Sequence, residues 1–514
     1  MNRFQTYYEN LNLPLKLALF GALLVGVGSL LGNPFIHEVL KLDTTNITQV
    51  TQTLLVCGSL ILTYFPITIF VKLLQLRTDD KNMTIIGVAS YAIFLMAILL
   101  FAPQNLSSNS YVPNISYTVG TTSTKLMRTG VFGLIGVYFI VRWVYKRNFG
   151  AKLFNVLAIF DASLFRFIYC AILSFVFGLL MANYWPVFID WIYGILRFIA
   201  SDVYNPMTLF AFGTLERFTS LLGLNDIVRA EMWLGSLGGT WNDLNNVTLV
   251  GDINIWQGQL NSNLAILGIG GAGRYSTAFY VLNLFAIPGY ITAVFTSVSD
   301  RKRRTRLIGV AVFLFVLSML SGILDQVELF MLLTSPLLYL FHIFMVGFVN
   351  AVLTGFSVTI GFSFLNVLGA ANPGNLIDLI GLARNNVSTD QIWILVLFGA
   401  IVFFIYFGVT RFYYSKLAMD VLNVGSKDDD TTDFIERLGG IDNITEISSM
   451  PTRLIVTLKD DDDINVEGLH HQGVSRIVKA RIGYILSYGA GAYMLQKEVN
   501  KRMKEKDVSQ SEES

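Results

Sequence analysis

The feature that most constrains this chain is a series of long apolar runs without charge, recurring from near the N-terminus to about residue 410. Residues 17–36, 44–71, 83–101, 167–189, 275–299, 307–324 and 392–410 are such runs. About 20 apolar residues in a helix cross the hydrocarbon core of a bilayer. A crossing segment must satisfy every backbone group internally, which a helix does. Of the 514 residues, 53% are hydrophobic and 14% charged, against about 25% charged in soluble domains. The reading is an α-helical polytopic membrane protein embedded in a lipid bilayer.

Two segments are harder to place. Residues 129–141 lie between Arg128 and Arg142 and are short for a span, so they cross if Arg128 faces protein or if the helix begins in the polar stretch before it. Residues 329–377 contain no Asp, Glu, Lys or Arg, and their ionisable side chain of note is His342. They suffice for one span plus a broken or re-entrant segment. The total expected is about ten transmembrane helices plus re-entrant segments. Residues 190–200, with Trp191, Ile192, Ile195 and Phe198 on one side, read as an interfacial helix rather than a span. Residues 17–36 are too long for the apolar core of a signal peptide and read as the first span. Basic residues cluster at 72–81, 142–152, 301–306 and 411–416; positive charge marks cytoplasmic loops, and the first, third and fourth clusters fit that face without strain.

Several function classes drop out. A net charge of +1 gives no nucleic-acid signature. Cys57 and Cys170 stand alone in apolar stretches, and the four histidines lack metal-ligand spacing, so no metal and no cofactor are expected. Gly268, Gly270, Gly271 and Gly273 follow no strand and open an apolar run, so they read as a hinge or packing site rather than a nucleotide loop. The acidic turn at 460–463 lacks the spacing of a calcium loop.

The expected organisation is a membrane domain over residues 1–416, a charged linker over 417–433, a small α/β domain over 434–500 and a disordered tail over 501–514. In the small domain, Phe434–Leu438 is expected to be helical before Gly439-Gly440, and Arg453–Leu458 to be a half-buried strand. A second helix is expected near 466–470, a second strand near 481–486 and a last helix near 494–503.

Particular motifs tie the halves together. Leu438-Gly439-Gly440 is followed by Asn443-Ile444, then by Met450, Thr452, Arg453 and Leu454. Upstream stand Thr129-Gly130-Val131-Phe132-Gly133, Glu216-Arg217, Gly223-Leu224-Asn225-Asp226 with Trp233, Gly251-Asp252 with Trp256 and Gln259, Gly273-Arg274 with Pro288, and Gly322 through Asp325 to Glu328. Together these resemble the glucose/N-acetylglucosamine/maltose superfamily of sugar phosphotransferase (PTS) permeases, which join a membrane EIIC domain to an EIIB domain.

The resemblance implies a bacterial cell-membrane sugar permease, a homodimer, with a cytoplasmic EIIB-like domain and EIIA as its phosphate donor. It also marks departures. Met450 stands where the family has its phosphate-accepting cysteine, and a thioether cannot form the thiolate nucleophile. Thr452 and Arg453 are what remains of the phosphate loop, a second arginine being replaced by Ile455, while Pro451 has no N–H to offer an anion. Asn225 and Asp226 replace two histidines of the sugar site, Asp325 replaces its first glutamate, and Gln326 replaces a proline.

The implied substrate-binding residues are therefore Asn225, Asp226, Arg274, Asp325 and Glu328, with no catalytic residue. Each has a plainer role beside it. Asn225 and Asp226 also suit a helix start, Arg274 a counter-ion of the carboxylates, Asp325 and Glu328 a structural pair, and Met450 a buried gap-filler. The expected function is binding and translocation of a sugar or sugar-like solute with phosphotransfer lost. The alternatives are a sugar sensor working through PTS contacts, for which the retained Leu-Gly-Gly and Thr-Arg-Leu surface speaks, and an active phosphotransferase borrowing a separate EIIB.

Overall fold

A computed structural model gives the fold. It describes the chain apart from residues 1–2, 42–43, 79, 120–121, 148–161, 245, 263–271, 298–300, 323, 363–373, 385–388, 418–427, 451, 461–463, 473, 481–482, 489–491 and 513–514. Helices α1 (Arg3–Leu31), α2 (Pro34–Leu40), α3 (Thr44–Thr78) and α4 (Lys81–Phe101) precede a hairpin of β1 (Tyr111–Val119) and β2 (Thr122–Met127). Then come α5 (Val131–Arg147), α6 (Ala162–Ser201), α7 (Pro206–Leu221) and α8 (Asn225–Trp233). A small ribbon of β3 (Thr240–Asn242) and β4 (Thr248–Val250) leads to α9 (Asp252–Asn261) and α10 (Arg274–Val281). A π-turn at Leu282–Ala286 continues α10 into α11 (Ile287–Ser297), just ahead of Pro288, which has no N–H to give the preceding turn. The helices α12 (Arg301–Ser321), α13 (Asp325–Thr334), α14 (Pro336–Gly355), α15 (Leu376–Arg384) and α16 (Thr389–Leu417) follow.

Seven helices among the described residues are long and apolar enough to cross a membrane: Leu13–Leu31, Ile47–Thr78, Asn82–Phe101, Ser163–Ser201, Arg274–Ser297, Pro336–Gly355 and Thr389–Tyr414. The short run after Arg128 forms the 17-residue helix α5, and α12 has an apolar stretch only over Ile308–Leu320. Residues 190–200 are not a separate interfacial helix. They are the last part of the 40-residue α6, and the face that packs inward is Ile189, Ile192, Leu196 and Ile199, spaced by three and four. Of the residues expected on one side, Ile192 is buried while Trp191 and Phe198 are exposed. The glycine run at 268–271 lies outside the described residues; Gly273 is the N-cap of α10.

The chain divides into two compact units. The larger comprises Leu13–Leu284 and Leu317–Gly399, and the other Met1–Asn12, Phe285–Val316 and Ala400–Ser514. In the larger unit, α4 packs along α6 and α7 along α14. The α7–α14 crossing is possible because each helix presents a glycine to the other. A Cβ on Gly213 would lie 2.9 Å from the Val346 carbonyl oxygen, and one on Gly347 would lie 2.8 Å from that of Phe210. Small residues at such crossings let backbones approach in membrane proteins, where no hydrophobic force pulls helices together.

In the second unit, the C-terminal segment folds as α17 (Asp428–Arg437), β5 (Ile444–Met450), β6 (Arg453–Leu458), α18 (Val466–His471), β7 (Arg476–Ala480), β8 (Gly483–Ser487) and α19 (Ala492–Glu512). The strands make one antiparallel sheet in the order β5-β6-β8-β7. Its core is built from Phe434, Leu438, Ile447, Leu454, Val456 and Leu486, with others. The first helix starts inside the expected linker, and Thr431 is already buried in it. The last helix continues through the residues expected as a tail, as far as Glu512.

Candidate functional site

The site is assembled where α7, α8, α13 and α14 of the larger unit meet. Asn205 accepts the N–H of Met207 through its side chain and Pro206 occupies the first turn, so α7 has a firm start. One turn beyond the Gly213 contact, Glu216 and Arg217 point inward, 1% and 0% exposed. Two charges so deep in protein persist only if paired. Arg217 donates from Nη2 to Glu216 Oε1 at 2.6 Å, and Arg229 on α8 donates from Nε to the same oxygen at 2.5 Å. Arg217 also reaches Glu328 on α13 through Nη1, and its backbone carbonyl accepts the Tyr339 hydroxyl at 3.1 Å. Glu328 lies 3.0 Å from His342 Nε2 on α14. The ring of Phe279 lies under both guanidinium groups, 5.2 Å from Arg217 and 5.4 Å from Arg229.

Asp325 completes the set on different terms. Its Oδ1 is 3.6 Å from Arg217 Nη1 and 3.7 Å from Arg229 Nη2, too long for hydrogen bonds, and its side chain is 47% exposed. Glu328 has a further property: among the described residues nothing hydrogen-bonds its Oε2, although the residue is 2% exposed. Asp325 is the accessible carboxylate and can accept hydrogen bonds from the hydroxyls of a polar solute, while Glu328 Oε2, three residues on, is buried beside it.

The other expected site residues lie elsewhere. Asp226 and Asn225 begin α8, but neither side chain caps it. Asp226 instead pairs with Arg128 Nη1 at 2.8 Å. Arg274 is buried and stacks on Tyr204 at 4.6 Å. The counter-ions of Asp325 and Glu328 are Arg217 and Arg229, whereas Arg274 lies in the field of Asp252. Asp252 is buried, accepts the Gly273 N–H at 2.9 Å through Oδ1, and among the described residues has no hydrogen-bond partner at Oδ2. Burial pushes its carboxyl up to about 7 against the opposing pull of Arg274 and that N–H. Arg229 and the roles of Glu216, Arg217 and His342 were not assigned from sequence. The available signal was adjacent opposite charges inside an otherwise apolar helix, which must find partners.

In the C-terminal domain, Met450 ends β5 opposite Arg453, which begins β6. Met450 is 39% exposed and is not a buried gap-filler. The strand period explains this: Ile447 and Ser449 face the core, so the next residue faces out. Arg453 is also exposed, and the Thr452 carbonyl accepts the Tyr488 N–H at 2.9 Å. The exposure has a direct check. In a Cys57→Ser, Met450→Cys protein, maleimide should label the new thiol readily in the folded state, leaving buried Cys170 unlabelled; protection of residue 450 would contradict this placement.

The Leu438-Gly439-Gly440 motif is explained by folding. Both glycines have positive φ, 88° and 87°, and the Gly440 N–H returns to the Ile435 carbonyl at 2.9 Å to close α17. Asn443 then clamps the turn: its Nδ2 donates to the Leu438 and Asp460 carbonyls, both at 2.8 Å, and its Oδ1 accepts the Asp460 N–H at 2.7 Å.

Comparison with known proteins matches residues 10–347 to the family described as "Phosphotransferase system, EIIC". The chain belongs to the phosphotransferase-system EIIC family. With its apolar helices, that makes it a multi-pass membrane protein. It is 26% identical over 505 residues to the PTS system maltose-specific EIICB component of Escherichia coli, covering 91% of this chain and 90% of the relative. It is 24% identical over 496 residues to the glucose-specific EIICBA component of Staphylococcus saprophyticus, covering 93% of this chain and 69% of the relative. The glucoside-specific EIICBA component of Staphylococcus carnosus is 24% identical over 395 residues, which is 75% of this chain and 55% of that longer protein. The ionic cluster of this EIIC protein thus falls wholly inside the matched segment, from Glu216 to His342.

Proposed function

We propose that this EIIC protein binds a sugar or sugar-like solute at Asp325 and Glu328 and carries it across a bacterial cell membrane without phosphorylating it. The observation that carries the reading is Met450. It is exposed at the end of β5, where the resemblance puts a phosphate-accepting cysteine, and its thioether has no proton to lose. The relatives whose names specify maltose, glucose and glucoside support a sugar as the solute. Asn225, Asp226 and Arg274 are assigned to the walls of the same solute path. The active form is proposed to be a homodimer with its C-terminal domain in the cytoplasm. Thr452 and Arg453 are proposed as remnants of a phosphate loop, with no present substrate.

Counterflow tests the reading. Purified protein in liposomes preloaded with maltose, glucose or N-acetylglucosamine should take up the labelled sugar transiently, with no phosphoenolpyruvate present. Binding without flux would instead make the protein a sensor. Flux that requires phosphoenolpyruvate and an added EIIB would restore the phosphotransferase reading.

A further inference from the structure

We propose that His342 takes up a proton as the site closes over its solute, so that solute and proton cross together. The inference rests on the carrier reading above and adds an energy source to it. It begins with charge. Glu216, Asp325 and Glu328 are three carboxylates and Arg217 and Arg229 two guanidiniums, so with these five ionised and no proton added the linked cluster carries a formal charge of −1.

The excess is tolerable in the structure as it stands because of where it sits. Glu216, Arg217 and Glu328 are buried, and with Arg229 they balance. The unbalanced member is Asp325, whose side chain is 47% exposed. A solute that covers Asp325 removes that exposure. A neutral sugar brings hydroxyl donors but no charge, and an uncompensated carboxylate shut into a low-dielectric site is strongly disfavoured. The cluster can restore balance without moving an arginine by protonating the imidazole already 3.0 Å from Glu328. An imidazolium there would share Glu328 Oε1 with the Arg217 guanidinium, and it is the charge of Asp325, one turn along α13, that would offset the added cation.

The surroundings of His342 favour this assignment. From α13 it faces Glu328 and, one turn away, Asp325; α7 brings Glu216 and Arg217; α8 contributes Arg229 through Glu216. Its own helix carries Tyr339, with ring centroids 6.2 Å apart, and α10, also packed on α14, carries Arg274, Tyr275 and Tyr280. His is the side chain whose ordinary titration lies nearest neutral pH. No covalent step is involved: one proton enters from the side where the solute binds and leaves on the other.

The test uses the intact protein in liposomes with the membrane potential clamped and the outside about one pH unit more acid. One proton per solute should raise steady-state labelled maltose, or whichever of glucose and N-acetylglucosamine shows counterflow, about tenfold inside. In His342→Gln the ratio should fall to one. The ratio is an equilibrium quantity, so a slow variant still reads out. Should His342→Gln carry nothing, sugar binding in nanodiscs is measured in two buffers of different ionisation enthalpy. About one proton should be taken up per sugar by the unaltered protein and none by the variant. A wild-type ratio of one with counterflow intact would overturn the coupling and leave the carrier reading standing. A His342→Gln protein that still accumulates or still takes up the proton would overturn the assignment to His342. Absence of any wild-type counterflow would bring down the carrier reading itself.

Discussion

Replacing Asp325 by Asn should weaken sugar binding about 10- to 100-fold while leaving the protein folded. The carboxylate is half exposed and sits beyond hydrogen-bond distance from both arginines, so its loss removes little internal bonding. A hydrogen bond to a charged acceptor contributes about 1.5–3 kcal/mol, and each 1.4 kcal/mol is a factor of about ten in affinity. Calorimetry in nanodiscs measures the affinity, and a thermal melt of the same sample measures the fold. Unchanged affinity would remove Asp325 from the site. A large fall in melting temperature would make it a structural ion instead.

Replacing Arg217 by Ala should be far more damaging, and to the fold itself. Its guanidinium joins Glu216 to Glu328 and, together with Arg229, balances their charge within a buried cluster. Breaking one buried pair by removing a partner costs about 3–5 kcal/mol, and this substitution breaks two. Arg217→Lys should rescue little, since an ammonium lacks the planar fork that spans two carboxylates. Size-exclusion profiles and detergent melting curves decide the matter. Wild-type stability in Arg217→Ala would mean that Glu216 and Glu328 can be neutralised some other way. The Asp325 and Arg217 variants together separate what the cluster does for a ligand from what it does for the helices.

Much of this was legible in the sequence, for physical reasons that also explain what was not. The apolar runs at 44–71, 83–101 and 392–410 lie inside α3, α4 and α16, because hydropathy over about 20 residues is nearly sufficient to define a span. Arg453–Leu458 is a strand over those residues, where Leu454, Val456 and Leu458 alternate with neighbours that are polar apart from Ile455. The β1–β2 hairpin was missed because its residues alternate weakly between polar and apolar. Residues 190–200 were cut from α6 at Asp190, although one acidic residue does not end a helix whose buried stripe continues past it. At the site, Asp325 and Glu328 could be picked out individually as carboxylates beside an apolar run. Their partners could not, since the fold brings Arg217 of α7 and His342 of α14 to Glu328 from 111 and 14 residues away.

The turn built on Gly439, Gly440 and Asn443 bears on how inactive relatives are recognised. Its glycines and its asparagine terminate a helix and tie it to the loop after β6, tasks that remain whatever residue stands at 450. A chain that had lost phosphate transfer, as proposed for this one, would therefore still need these glycines and this asparagine in order to fold. In proteins of this kind, survival of a signature dates the architecture and says little about the occupation.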